Sequence, residues 1–267
     1  MRHRITRALW AALLGLALLV PVSAHCALQS KTIEYTLDGT TMKGYLAWDD
    51  SIQGRRPGIL VVHEFWGLNE YVKRRADMLA ELGYVAFAAD MYGNAQVTTH
   101  ANEASAWMKQ VTDHIDVWKA RAVAGINVLR AQPQVDPDRI AAIGYCFGGA
   151  TVMQLAYTGL PLRGVASFHG SLPPVPANLP PGSIKAKVLA ATGAADKLVP
   201  PERVMAFQKG LEDVQATWEF VTYSGAKHAF TNPDADTLGM PELGYNARAD
   251  KRSWELLQTF LKEIFAR

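Results

Sequence analysis

A cysteine stands between glycines in Gly144-Tyr145-Cys146-Phe147-Gly148-Gly149. A thiolate is a strong nucleophile, and the spacing glycine-x-cysteine-x-glycine is that of an attacking group held on a tight strand-to-helix turn. Residues two before and two after must be small, or their side chains collide. A sulfur at a helix start also meets free N–H groups and the positive end of the helix dipole, which favour thiolate. Such a nucleophile needs a base, and the base needs an orienting group. Asp196 and His228 each follow an apolar, β-rich run, and they keep the chain order nucleophile, acid, histidine. His228 is the only histidine after Asp196, whereas His63 and His169 violate that order. His169 has two readings, a pocket residue or a satisfied structural histidine. Asp196 has a plainer one as well, a turn or helix-capping aspartate ahead of the helix start at Pro200-Pro201-Glu202.

The attacked carbonyl would develop negative charge, and backbone N–H groups aimed at it are worth about 3 kcal/mol each. The first expected donor is the N–H of Phe147, directly after the nucleophile. The second is the N–H of Phe65, in the early loop His63-Glu64-Phe65-Trp66-Gly67.

These residues need a scaffold that brings strand ends together. Residues 31–37 and 42–48, around Asp38-Gly39, predict an antiparallel hairpin. After it, apolar runs at 58–62, 84–89, 139–145, 164–168, 187–192 and 217–223 alternate with helical patterns. Residues 70–82 place Val72, Ala76, Leu79 and Leu82 on one face, with Arg and Glu on the other, and Gly83 terminates them. Residues 101–132 are helix-prone, a helix follows from 147, and 247–265 form an amphipathic helix with Trp254, Leu257, Leu261 and Ile264 on one face. This alternation predicts an α/β fold with a mostly parallel central sheet covered by helices on both faces. In such sheets the site lies at the carboxyl ends of the strands.

The composition is that of a globular chain, with 49% hydrophobic and 19% charged residues. Arg2, Arg4 and Arg7 precede the apolar stretch 8–20, then Pro21 and Val22-Ser23-Ala24. This reads as a signal peptide over residues 1–24, with export to a periplasm or the medium and no stable membrane insertion after processing. The expected organisation is that segment followed by one domain over 25–267. Removing the segment takes the formal net charge from +2 to slightly negative, so no global basic field invites nucleic acid. Two cysteines, Cys26 and Cys146, make neither a disulfide framework nor a zinc set, and no metal or other cofactor is expected.

Taken together, HEFWGLN (63–69), RRADMLAELGYVAFAADMYG (74–93), IGYCFGG (143–149), the Asp196 loop and HAFTNP (228–233) resemble the dienelactone hydrolase family of α/β hydrolases, over roughly residues 31–265. The resemblance implies the α/β-hydrolase fold and hydrolysis of a small-molecule ester or lactone. It implies that Glu64 hydrogen-bonds the resting Cys146 thiol until substrate displaces it. Trp66, Tyr92, His169 and Phe230 are further candidates for the pocket. Two departures bear on substrate: Thr231 stands where a carboxylate-binding arginine is sought after His228, and residues 94–105 contain no arginine. Both weigh against the carboxylated namesake lactone and leave the hydrolase chemistry untouched. Two other classes stay open at the level of sequence: a non-catalytic binding protein that keeps the pocket, and a redox-responsive thiol protein.

Overall fold

A computed structural model describes residues 28–266. The expected signal segment and Cys26 lie outside the described residues. Strands β1 (Leu28–Leu37) and β2 (Thr40–Asp49) form the hairpin, turned by Asp38 and Gly39, both at positive φ. There follow β3 (Arg56–Val62), α1 (Glu70–Glu81), β4 (Val85–Ala89), α2 (Ala101–Thr112), α3 (Ile115–Arg130), β5 (Val135–Tyr145) and α4 (Phe147–Tyr157). The chain closes with β6 (Gly164–Phe168), β7 (Lys187–Gly193), α5 (Pro201–Asp213), β8 (Trp218–Tyr223) and α6 (Ala247–Ile264).

Among the described residues the strands make one eight-stranded sheet in the order β1-β2-β4-β3-β5-β6-β7-β8. Pairing is antiparallel for β1–β2 and β2–β4, and parallel from β4 to β8. β3, β4 and β6 are buried along their whole length, as expected of parallel strands covered on both faces. The strand ends therefore converge: β3, β4, β5, β6, β7 and β8 all deliver their following loops to one edge.

Four local details refine the expectations. The helix-prone stretch 101–132 is two helices, parted at Asp113-His114. β5 begins at Val135 rather than 139, and its register with β3 jumps between Pro57 and Gly58, next to Pro137, which has no N–H for the ladder. Leu82, just past the end of α1, is 42% exposed, while Arg75 within α1, expected on the solvent face, is 4% exposed. α4 is buried at every position, so it packs as a central helix rather than an amphipathic one.

Candidate active site

Cys146 links β5 to α4 at φ 54°, ψ −114°, a left-handed backbone that a side chain adopts only under strain. Its N–H donates to Phe168 O at 3.0 Å, which fastens the turn to β6. The flanking glycines are demanded by contact. A Cβ on Gly144 would overlap the Gly148 carbonyl, and one on Gly148 would overlap the Val62 carbonyl. The turn and the early loop after β3 are thus pressed together. Phe147 opens α4, so its N–H has no carbonyl a turn earlier to bond. Tyr92 OH donates to Phe65 O at 3.0 Å and steadies the early loop. Phe65, Phe147, Cys146 and His228 all line one cavity of about 820 Å³.

The Asp196 loop follows β7 and the His228 loop follows β8, so neighbouring strands present the two side chains side by side. Ala194 N donates to Tyr223 O at 2.8 Å and Ala195 N to Ala226 O at 2.9 Å, lacing the loops together. Gly193 permits this approach, since a Cβ there would overlap Ala226 O. Asp196 holds its own turn and reaches the histidine, but it does not cap α5, whose start has no side-chain hydrogen bond. Its Oδ1 accepts from Leu198 N at 2.9 Å within the turn, and its Oδ2 meets His228 Nδ1 at 2.8 Å. Both side chains are buried. The other ring nitrogen, Nε2, has no hydrogen-bond partner among the described residues, and the Cys146 sulfur acts on the ring through its charge. Burial opposes charge on His228, but the Cys146 sulfur and the Asp196 hydrogen bond outweigh it and push the imidazole up to about 10.

Glu64 is 2% exposed, and its Oε2 accepts from Asn232 Nδ2 at 2.7 Å. The hydrogen bond expected between Glu64 and Cys146 is not found; the carboxylate is held by the His228 loop instead. Burial pushes its pKa up to about 7, against the Asn232 hydrogen bond and the charges of His228 and Arg75.

The suggested pocket residues lie elsewhere. Trp66, Tyr92, His169 and Phe230 do not line the cavity and are 6% exposed or less. Tyr92 packs behind it, with ring centroids 5.7 Å from Phe147. His169 follows the structural of its two readings but is only half satisfied: Nε2 lies 2.7 Å from Thr231 Oγ1, which is itself 2.6 Å from Tyr71 OH, while Nδ1 has no hydrogen-bond partner among the described residues. Burial, then the charges of His228 and Arg75, holds His169 well below the ordinary histidine range, so it stays neutral. His63 is likewise structural: Nδ1 lies 2.5 Å from Glu64 O, and Nε2 accepts from Met91 N at 3.2 Å. Thr231, at the place where an arginine was sought, points into this buried network rather than into the cavity.

The sequence reading passed over Asn232 and Arg75. Asn232 stands in the quoted HAFTNP stretch, and an amide four residues past the base in a post-strand loop was the available signal. Arg75 donates to Thr231 O and to Asp250 Oδ1, each at 2.5 Å, and lies among the rings of Tyr71, Tyr145 and Trp254. Nothing in a helical pattern of charged residues marks one of them as buried.

Residues 42–265 match the model of the dienelactone hydrolase family. A carboxymethylenebutenolidase-like protein of Saccharolobus solfataricus is 28% identical over 272 residues, spanning 88% of this chain and 98% of its own. A Caenorhabditis elegans protein is 35% identical over 152 residues, 55% of this chain and 94% of its own. Among solved structures, a dienelactone hydrolase-like promiscuous phosphotriesterase from metagenomic libraries is 40% identical, with a TM-score of 0.87 over 90% of this chain and 100% of its own.

Proposed function

The chain belongs to the dienelactone hydrolase family and is a hydrolase of ester bonds, and from that premise we propose that it works through Cys146, His228 and Asp196 by way of a thioester. The observation that carries this reading is the buried contact of Asp196 Oδ2 with His228 Nδ1, with His228 and Cys146 both on the wall of one cavity. Cys146 Sγ attacks the substrate carbonyl, and the N–H groups of Phe65 and Phe147 hold the oxyanion. The tetrahedral adduct collapses: the C–O bond breaks, and His228 Nε2 gives its proton to the departing alcohol. Water then attacks the thioester as His228 takes one of its protons. The carbon–sulfur bond breaks, releasing the acid and the thiolate. Asp196 keeps the proton of neutral His228 on Nδ1 and stabilises the imidazolium.

Cys146→Ala is the direct test. Turnover of p-nitrophenyl acetate should fall by about 10⁴-fold or more, and acid-quenched wild type should carry an acetyl mass on the Cys146 peptide. A variant that keeps its turnover removes the mechanism.

The likeness to a phosphotriesterase supports a second reading, that uncharged phosphate triesters are also attacked by Cys146. Turnover of paraoxon that disappears in Cys146→Ala would support it, and no turnover by the wild type would end it.

A further inference from the structure

The cavity beside Cys146 falls in the size range that encloses a drug-sized molecule, at about 820 Å³. Its walls include Met108, Trp118, Leu172 and Phe207, with Met240 and Leu243 on the His228 side. Among the lining residues the fixed charges are Glu202 and Arg203, adjacent and exposed in the first turn of α5. Arg203 is engaged in tying the rim, donating to Ser171 O and Leu198 O at 3.4 Å each. Arg75, the buried cation behind the triad, is committed to Asp250 and Thr231 O and does not reach the cavity. His228 must reach the leaving oxygen, so the alcohol lies toward Leu243, whose backbone bridges that of His228. The acyl group then extends past Phe147 toward Trp118, stacked on it with centroids 5.9 Å apart, and Met108.

We propose that the site takes uncharged esters with a medium-length or bulky apolar acyl group and discriminates against acyl groups that end in a carboxylate. The inference rests on the ester-hydrolase reading and names the substrate class of that site. Each methylene moved from water onto such a wall is worth roughly fourfold. A carboxylate carried past Phe147 toward Trp118 and Met108 loses its water and meets no cation on that wall, Arg203 being held at the rim by Ser171 O and Leu198 O.

A matched set of probes tests it: p-nitrophenyl acetate, p-nitrophenyl octanoate and mono-p-nitrophenyl suberate, the last two equal in acyl length and differing in the terminal carboxylate. The expected kcat/KM for octanoate exceeds acetate by at least about 30-fold and suberate by at least about 100-fold. Met108→Arg, at a half-buried lining position, should raise suberate and lower octanoate turnover by about tenfold each. Thr112→Lys, one helical turn on, should move both in the same directions if the first variant fails to fold. Octanoate within threefold of acetate, suberate turned over as well as octanoate, or suberate turnover that depends on Arg203 in an Arg203→Ala variant would each overturn the substrate class. If Cys146→Ala abolishes turnover of all three esters while suberate is preferred, the class fails and the hydrolase mechanism stands. If Cys146→Ala retains turnover, the mechanism fails whatever the chain preference.

Discussion

At the scale of single residues, the pairing of Glu64 with Asn232 changes how the cysteine is held. A carboxylate hydrogen-bonded to a thiol would keep it protonated; here the amide of Asn232 takes that carboxylate, and the sulfur is left to His228. Asn232→Ala should free Glu64 to approach Cys146 and slow iodoacetamide alkylation at pH 7 by about tenfold. The double variant with Glu64→Gln should regain the wild-type rate. An unchanged rate in Asn232→Ala would show that the amide has no part in holding the carboxylate off. Burial also sets a pH dependence. Glu64 binds its proton up to about pH 7 in the folded chain, against an ordinary 4.5. Between these values the folded state binds more protons than the unfolded one, so stability falls as pH rises through the interval. The full gap is worth about 3 kcal/mol. Glu64→Gln should therefore match the wild type near pH 5 and exceed it in thermal stability at pH 8. A difference that does not grow with pH would contradict this.

At the scale of elements, the nucleophile turn is an interlock between β3, β5 and α4. It was legible in advance because its constraint is short-range: a strained residue flanked by glycines at fixed offsets. What the spacing did not say is which atoms forbid a side chain. Gly144 faces its own turn, whereas Gly148 faces the carbonyls of Val62 and His63, which are backbone and cannot rotate aside. Gly148→Ala should cost about 3 kcal/mol, or roughly 6–12 °C in Tm. It should also lower kcat more than it raises KM, because it displaces the loop that bears the Phe65 N–H. A variant with wild-type Tm and kcat would refute the interlock. The helices were less legible than the strands. The pattern over 70–82 found the buried stripe of Val72, Ala76 and Leu79 but put Arg75 on the wrong side, since a cation is buried only where partners from distant segments await it.

At the scale of the molecule, the sheet order brings the loops after β3, β5, β7 and β8 to one edge and opens an apolar cavity between them. No helix among the described residues is long and apolar enough to cross a membrane. Residues 1–24 are proposed as an export signal on their charge and hydropathy pattern alone. Expression in a bacterial host should yield a periplasmic or secreted chain whose N-terminal residue is His25. A cytoplasmic chain that begins at Met1 would overturn that assignment.

Local rules sufficed for much of this protein. Strand–helix alternation announced the α/β sheet, and the spacing around Cys146 announced the turn. The order Cys146, Asp196, His228 then named three side chains that the fold does bring together. The first two follow from periodicity and from sterics within a few residues of chain, and the third from the position of each residue after its strand. Tertiary structure decided the rest, because it depends on groups that meet across the sheet. Glu64 and Asn232 are 168 positions apart, Arg75 and Thr231 are 156 apart, and neither pairing leaves a mark on the local pattern. The burial of Trp66, Tyr92, His169 and Phe230, and the apolar wall that replaces them around Cys146, were settled in the same way. A cavity wall is assembled from the tips of separate loops, and its chemistry exists only once the strands have placed those tips side by side.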